Sequence, residues 1–120
     1  MIIGIGTDIA EVGRIEKAIE RGNFCERFFT EAENELFKER KYSAQTVAAN
    51  FAAKEAISKA LGTGVRGFAL RDIEVLRDEL GKPYINLYNS LANPQYRVFV
   101  SVSHTKEYAT AMVVLEKLED

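Results

Sequence analysis

The sequence has one cysteine, one histidine, two prolines and no tryptophan in 120 residues. Because the single cysteine, Cys25, has no second thiol to pair with, an internal disulfide and a zinc site built from several thiolates are both excluded. Aromatic residues surround it in the stretch "NFCERFF". Cys25 is therefore predicted to be a small packing residue, although the residues alone leave a nucleophilic role open.

Long apolar runs and a strong charge imbalance are also missing. No run approaches the roughly 18 apolar residues that a membrane-spanning helix needs. The first residues lack the basic start and long apolar core of a signal peptide, which predicts a cytoplasmic protein. Sixteen basic against eighteen acidic residues leave a formal net charge of −2, which argues against nucleic-acid binding through overall charge. The length and the apolar fraction of 47% predict one globular domain over residues 1–120.

The N-terminal residues predict a strand followed by a helix. "MIIGIGT" is a short apolar β-rich run, in which Gly4 and Gly6 suggest a bulge or a close approach of another backbone. From Ile9 the apolar residues recur every three or four positions until Gly22, which is typical of a helix. Asp8 is therefore expected at a strand-to-helix junction, where a carboxylate can cap the helix.

The rest of the chain predicts two more helices and then four strands. Thr30 and Glu33 have the spacing of a capping box, and an alanine-rich helix is expected over about residues 43–61, ended by Gly62. "DIEVLRD" and "KPYINLY" are strand-like around a turn, and "YRVFVSVS" and "YATAMVVLEKL" form a second hairpin. The order of strand, helices and then an antiparallel meander predicts an α+β fold: an antiparallel β-sheet with helices packed on one face. The last two strands are apolar at nearly every position, so we expect both of their faces to be covered.

Glu55 and Lys59 lie one turn apart on the long predicted helix. At ~100° per residue, Glu55 is about 40° from the apolar Phe51, at the edge of the buried face, where a carboxylate needs a partner or a cation. The alternative is an ordinary surface ion pair at i, i+4. Asp8 poses the same choice, because it either caps a helix or joins Glu55 in offering Mg²⁺ its preferred oxygen ligands.

Two further segments also have both a functional and a structural interpretation. The "GTG" of residues 62–64 could bring backbone amides to a phosphate, and it is equally what a helix end needs. The only histidine, His104, is either structural or an anion contact, with Ser101, Ser103 and Thr105 beside it at a hairpin mouth.

Four motifs, in order along the chain, together resemble one family. "GIGTDIAEVGRI", "FAAKEAISKALGTG", "GKPYI" and "SVSHTKEYATA" are similar to the landmarks of the holo-acyl-carrier-protein synthase family of 4′-phosphopantetheinyl transferases. The resemblance spans nearly the whole chain. It implies the transferase fold, and transfer of phosphopantetheine from coenzyme A to a serine of apo acyl carrier protein in fatty-acid synthesis. It also implies a need for Mg²⁺, release of adenosine 3′,5′-bisphosphate, and homotrimers with sites between neighbouring subunits.

The resemblance also implies roles for individual residues. Asp8 and Glu55 match the two Mg²⁺ carboxylates, and Lys59 matches the lysine at the pyrophosphate; these three form the implied catalytic set. The remaining coenzyme-binding residues would be Gly62, Thr63, Gly64, Lys82, Pro83, Ser103, His104 and Thr105. The residues that receive the acidic carrier would be Arg14, which matches the family, and Lys17 and Arg21 further along the same helix. The base that takes the serine proton is left open between Glu55, Asp8 and a metal-bound hydroxide.

One position departs from the family pattern. Asn50 stands where the family often has an arginine that can reach a coenzyme A phosphate, so that contact is in doubt here. Lys41 and Arg66 are the candidates to replace it. Two rival functions also remain open: a non-catalytic module that binds the carrier, and a hydrolase of small phosphate esters. Without the family, the basic residues of the first helix would be interpreted as a solvated face offset by Glu16 and Glu20.

Overall fold

The computed structural model describes residues 1–62 and 67–119. The α-helices are α1 (Val12–Glu20), α2 (Phe24–Phe28), α3 (Glu31–Glu39) and α4 (Ala44–Leu61). The strands are β1 (Ile2–Glu11), β2 (Ile73–Arg77), β3 (Pro83–Leu87), β4 (Tyr96–His104) and β5 (Tyr108–Lys117), with 3₁₀ turns at Leu70–Asp72 and Asn89–Leu91. None of the helices within the described ranges is long and apolar enough to cross a membrane.

The strands form two antiparallel sheets. One sheet has the order β1-β5-β4, and the other contains β2 and β3. Both predicted hairpins and the α+β class are confirmed. The strands that follow the helices do not form a single continuous meander, because β5 pairs with β1 on one side and β4 on the other, which leaves β2 and β3 as a separate ribbon.

Helix α4 is the centre of the core and is held against β1 by two glycines. A Cβ on Gly4 would lie 1.9 Å from the Ala60 carbonyl oxygen, and one on Gly6 would lie 1.9 Å from that of Ala56. Strand and helix backbones therefore touch where no side chain fits between them. The register also shifts between Ile2 and Gly4. Both suggestions drawn from the glycines, a close approach and a bulge, are confirmed.

The predicted ends of the later helices are confirmed by their capping geometry. The Glu33 amide donates to the Thr30 hydroxyl (3.2 Å), and the Thr30 amide donates to Glu33 Oε1 (3.0 Å), which completes the capping box of α3. Helix α4 begins after Ser43 and ends at Gly62, whose φ of 77° is the left-handed conformation that glycine adopts without strain.

The predicted start of the first helix was wrong. Strand β1 continues to Glu11 and α1 begins at Val12, so Asp8 lies inside the strand, paired with Ala111, and caps no helix. Ile9, taken as the first residue of a helical stripe, instead points outward from the sheet and is 62% exposed. Long-range pairing with β5 outweighs the local period in this segment, because it satisfies the backbone groups of β1 across the sheet.

Helix α2 was not predicted, and it carries Cys25. Phe24 contacts three other phenylalanines around this short helix, with ring centroids 5.4–5.9 Å apart. Cys25 is buried, and burial, with smaller contributions from the negative charges of Glu33 and Glu26, raises the pKa of its thiol to about 11. The predicted packing role of Cys25 is confirmed.

The helices cover one face of β4 and β5, and a cover for the second face stays a prediction, because a neighbouring subunit would have to supply it. Alternate residues of β5, such as Val113 and Leu115, are fully buried under α4. The β5 residues that alternate with these point away from the helices. Met112 of β5 and Phe99 of β4, which lie on that outer face, are more than half exposed. The helices cover only one face of this sheet, which leaves an apolar outer face open.

Candidate active site

Strand β1 places Asp8 on the face that meets α4. Because side chains alternate along a strand, Asp8 shares its face with Gly4 and Gly6, the residues in contact with the helix. The ammonium of Lys59 reaches across this contact and donates to Asp8 Oδ1 (3.2 Å) and to the carbonyl oxygen of Thr7 (2.9 Å). The Lys59 side chain is 57% exposed and that of Asp8 only 19%, so the pair lies at the surface with its carboxylate recessed.

Glu55 is half-buried one turn before Lys59, which confirms its predicted position at the edge of the buried face. Burial raises the pKa of its carboxyl group, the negative charge of Asp8 raises the pKa further, and Lys59 lowers it in part. No residue of the described ranges forms a hydrogen bond or ion pair with the Glu55 carboxylate. A partly desolvated carboxylate with a second carboxylate nearby is an environment in which a bound cation is favourable.

The donor set at this point fits Mg²⁺. Within the described part of the chain, no group of three or more histidine, cysteine or acidic side chains could enclose a metal ion. Two carboxylates suit Mg²⁺, which keeps several waters and binds protein through one or two carboxylates together with substrate phosphates. Asp8 and Glu55 therefore match an ion that is shared with a phosphate-bearing ligand, and they do not match a closed protein cage.

A cavity of about 450 Å³ adjoins this cluster. It is lined by Thr7, Asp8, Ile9, Lys59, Ser101, Ser103, Thr110, Ala111 and Met112. The lining combines a carboxylate, an ammonium and several hydroxyl groups, which are groups able to bind a phosphate ester and its counter-ion. Of the predicted coenzyme-binding residues, the structure brings Lys59 and Ser103 together here.

The other residues predicted near Ser103 lie outside this lining. His104 is exposed at the end of β4, where it pairs with Ala109. The Thr105 hydroxyl accepts hydrogen bonds from the amides of Glu107 (3.3 Å) and Tyr108 (3.1 Å), so it stabilises the turn between β4 and β5.

Two of the predicted coenzyme-binding residues, Lys82 and Pro83, do not lie beside Asp8 within one chain. Lys82 and Pro83 lie on the β2–β3 ribbon, outside the cavity beside Asp8. The Lys82 amide donates to Asp78 Oδ1 (2.9 Å), which fixes the turn of that hairpin. Gly62 ends α4 as predicted, and residues 63, 64 and 66, named above as Thr63, Gly64 and Arg66, lie outside the described residues.

The basic residues of α1 are exposed, as a docking surface requires. Arg14 and Lys17 of α1 and Arg21, the residue directly after it, are spaced by three and four residues, so they share one side of the helix. Arg14 forms a 3.6 Å ion pair with Glu11, in which both side chains are more than half exposed. An exposed pair of this kind contributes little to stability, so Arg14 remains available to another anion.

The doubt about Asn50 is resolved, because this residue is fully buried. Its side-chain amide donates to the Val75 carbonyl oxygen (2.9 Å) and to Glu33 Oε2 (3.1 Å), and its oxygen accepts from Arg77 (2.9 Å). It cannot reach a ligand phosphate at the surface. Lys41, one candidate to replace the missing arginine, is exposed in the turn before α4.

A buried polar cluster on α4 was missed from the sequence. Lys54 and Glu33 are both fully buried and form an ion pair of 2.6 Å. The signal was present: Asn50, Lys54 and Ser58 recur every four residues through an otherwise alanine-rich helix, and all three are buried. Such a polar stripe at helical spacing indicates partners on a neighbouring element.

Comparisons with known proteins place this chain and its fold in one family. A model of the 4′-phosphopantetheinyl transferase superfamily matches residues 4–113. The chain belongs to this superfamily, which confirms the resemblance seen in its motifs. The holo-[acyl-carrier-protein] synthase of Clostridium botulinum (strain Alaska E43 / Type E3) is 58% identical, over 97% of this chain and 98% of that protein. The Fusobacterium nucleatum holo-[acyl-carrier-protein] synthase is 47% identical, over 96% of this chain and 99% of its own length.

Solved structures agree with the sequence relatives. A holo-(acyl-carrier-protein) synthase from Bacillus anthracis in complex with CoA (3′,5′-ADP) is 44% identical with a TM-score of 0.85, over 98% of each chain. The holo-[acyl-carrier-protein] synthase of Neisseria meningitidis is 36% identical with a TM-score of 0.86, over 98% of this chain and all of the other. The fold is therefore that of the known structures of this family.

Proposed function

We propose that this chain transfers 4′-phosphopantetheine from coenzyme A to a serine of apo acyl carrier protein and releases adenosine 3′,5′-bisphosphate. The observation that carries the proposal is the meeting of Asp8, Glu55 and Lys59 beside a polar cavity, in a chain 58% identical to a holo-[acyl-carrier-protein] synthase. The reaction belongs to fatty-acid synthesis, and the predicted location remains the cytoplasm.

Asp8 and Glu55 would hold Mg²⁺ together with the diphosphate of coenzyme A. When bound there, the ion supplies positive charge to the phosphate oxygens as the bridging bond breaks. The support from the chain itself is Glu55, a partly desolvated carboxylate close to a second negative charge and without a protein partner in the described ranges. The raised pKa of Glu55 also suits an acceptor of the serine proton, with Asp8 and a metal-bound hydroxide the other candidates.

Lys59 and the cavity lining would bind the departing nucleotide. The Lys59 ammonium already lies 3.2 Å from Asp8, so it can contact an oxygen of the diphosphate without a large movement. Phosphoryl transfers gain mainly from alignment and from cations placed on the developing charge. Ser103 would contribute a hydroxyl, and His104, Thr105, Gly62, Thr63, Gly64, Lys82 and Pro83 would complete the coenzyme site.

The carrier would dock on α1. Arg14, Lys17 and Arg21 present three exposed cations, which would attract an acidic carrier although the net charge of this chain is −2. Complementary charge of this kind raises the rate of encounter more than it raises affinity.

A homotrimer would complete the site. On the outer face of the β1-β5-β4 sheet, Ile5, Ile9, Phe99 and Met112 are 70%, 62%, 55% and 52% exposed. Contiguous apolar surface of this kind marks an interaction site. Ile9 and Met112 also line the cavity beside Asp8, so a neighbouring subunit that covers this face would close the cavity.

We expect Met112→Lys to dissociate the trimer. A lysine is tolerated at this exposed position in the monomer, but an interface would bury its charge without a partner. Light scattering after size exclusion should give the trimer mass for the original chain and the monomer mass for the variant, with transfer activity lost in parallel. Leu80→Lys, at a 96% exposed hairpin tip, is the matched control and should remain trimeric. An original chain that is monomeric, or an M112K variant that stays assembled, contradicts this interface.

The transfer itself is tested by mass spectrometry of apo acyl carrier protein after incubation with this chain, coenzyme A and Mg²⁺. We expect the carrier to gain the mass of one phosphopantetheine, and the gain to disappear when EDTA replaces Mg²⁺. Release of adenosine 3′,5′-bisphosphate in the absence of carrier would favour a hydrolase. Carrier binding without any mass gain would favour a non-catalytic module.

A further inference from the structure

A buried ammonium lies directly next to Glu55 in the chain and makes every hydrogen bond available to it. The three N–H groups of Lys54 donate to Glu33 Oε1 (2.6 Å), the Phe28 carbonyl oxygen (2.8 Å) and the Leu70 carbonyl oxygen (3.0 Å). These acceptors belong to the end of α2, to α3 and to the turn before β2. One side chain of α4 therefore binds three separate segments of the fold.

Each carboxylate oxygen of Glu33 likewise accepts two hydrogen bonds. Its Oε1 accepts from Lys54 and from the Thr30 amide, and its Oε2 accepts from the amide of Val75 (3.2 Å) and the side chain of Asn50 (3.1 Å). The pair thus joins the first turn of α3, strand β2 and two successive turns of α4. A rotation or slide of α4 would break several of these directional bonds at once.

Stability alone is a poor explanation for this pair. Taking two charges out of water is costly, and apolar residues of similar volume often stabilise a core equally well or better. Hydrogen bonds from an ammonium have fixed directions, whereas apolar contacts are tolerant of small shifts. Compared with an apolar core, this pair therefore fixes the position and rotation of α4 more closely.

The position and rotation of α4 determine the direction in which Glu55 points. On one side the helix touches β1 at Gly4 and Gly6, which fixes its distance from the strand that bears Asp8. On another side Lys54, the residue before Glu55, fixes its rotation. Lys54 is fully buried, so it does not reach a ligand in the cavity itself.

We propose that Lys54 is a positioning residue whose bonds to Glu33, Phe28 and Leu70 hold α4 so that Glu55 faces Asp8. The inference rests on the proposed function, because it assigns Glu55 a ligand role that the transfer reaction requires. It extends that function to a residue pair that touches neither substrate.

The test compares Lys54→Met with the double variant Glu33→Gln/Lys54→Met. The single variant leaves the Glu33 charge buried without its counter-ion, so it can fail to fold for that reason alone. The double variant removes both charges and tests the proposal even in that case. Binding of Mn²⁺ to the chain alone is followed by electron paramagnetic resonance. Turnover is measured in parallel at a temperature at which each protein is folded.

We expect both variants to lose about 10- to 100-fold in kcat and in Mn²⁺ affinity, the range found when a group that orients a metal ligand is removed. At saturating Mg²⁺, the KM for coenzyme A should change much less than kcat, because Lys54 contacts no ligand. Leu91→Ala, which removes a buried side chain from the 3₁₀ turn Asn89–Leu91, is the control: it should lower the melting temperature and leave both kcat and the Mn²⁺ affinity unchanged.

A double variant with the original kcat and Mn²⁺ affinity overturns the inference. So does a Leu91→Ala variant with the same losses, since the effect would then follow from stability alone. If the original chain transfers nothing, the proposed function fails, and the Mn²⁺ titration still reports whether Lys54 sets the position of Glu55.

Discussion

Replacing Asp8 by asparagine or Glu55 by glutamine is expected to lower kcat/KM by roughly 10²- to 10³-fold, the loss typical when one group that stabilises transition-state charge is removed. Both changes keep the size of the side chain and remove its negative charge. The measurement is the initial rate of phosphopantetheine transfer to apo carrier protein at saturating Mg²⁺. Affinity for the carrier should be unchanged, because the basic residues of α1 are not altered.

The Glu55→Gln variant should lose activity without losing thermal stability. Because burial and the charge of Asp8 raise the pKa of Glu55, its ionised form at neutral pH destabilises the chain without a bound cation. Glutamine removes that cost. We therefore expect Glu55→Gln to unfold at the same temperature as the original chain or at a higher one, while its activity is lost.

Glu39→Gln provides the matched control, since Glu39 is an exposed carboxylate on α3, away from the cavity. It should transfer phosphopantetheine at the original rate. Near-original rates in both Asp8→Asn and Glu55→Gln would contradict the carboxylate pair as the metal site. Loss of carrier binding in these variants would instead point to a folding defect.

Gly6→Ala is expected to destabilise the chain by about 1–3 kcal/mol or more, the cost of forcing extra volume into a packed contact. The new methyl group would lie 1.9 Å from the Ala56 carbonyl oxygen and 3.0 Å from the Ala60 amide nitrogen. These are backbone atoms of a helix, so they cannot rotate away as a side chain can. Strand β1 and helix α4 must separate instead, and denaturant unfolding measures the cost.

Transfer activity should fall further than the stability loss explains. Asp8 lies two residues beyond Gly6 on the same face of β1, so a displaced strand carries it away from Lys59 and Glu55. A displacement of about 1 Å can reduce the rate about 10²-fold.

Gly13→Ala is the control for the glycine substitution. No atom lies within 4 Å of the position its methyl group would take, and an alanine in helix α1 should add up to about 1 kcal/mol of stability. A Gly6→Ala variant as stable and active as Gly13→Ala would show that the close contact between β1 and α4 is not needed.

Local patterns were sufficient for most of the elements. The capping box of Thr30 and Glu33, the left-handed glycine at the end of α4 and the two hairpins all depend on residues near one another in sequence. Helix α2 was missed, because five residues are too few to show a helical period. The start of α1 was misplaced, since β1 is extended by its pairing with β5, a hundred residues away.

The candidate site, too, was predicted from the sequence only in part. The motifs around Asp8, Glu55 and Lys59 indicated the family through their resemblance to its landmarks, and the comparisons confirm the family. Their proposed metal and phosphate roles follow from that resemblance and from the ligands that Mg²⁺ prefers. The buried set around Lys54 and Glu33 was not recognised. Its partners come from four segments, and only their packing shows that an ordinary helix lysine is fully buried.

The sequence by itself therefore determined the family, through the resemblance of its motifs, and the α+β class, through residue type and local spacing. The reactive roles of Asp8, Glu55 and Lys59 stay a proposal. The tertiary structure alone decided that Asp8 lies within a strand, that Asn50 faces the core, and that one face of the sheet is open. Burial and distance arise from contacts between remote segments, and such contacts depend on how the whole chain packs.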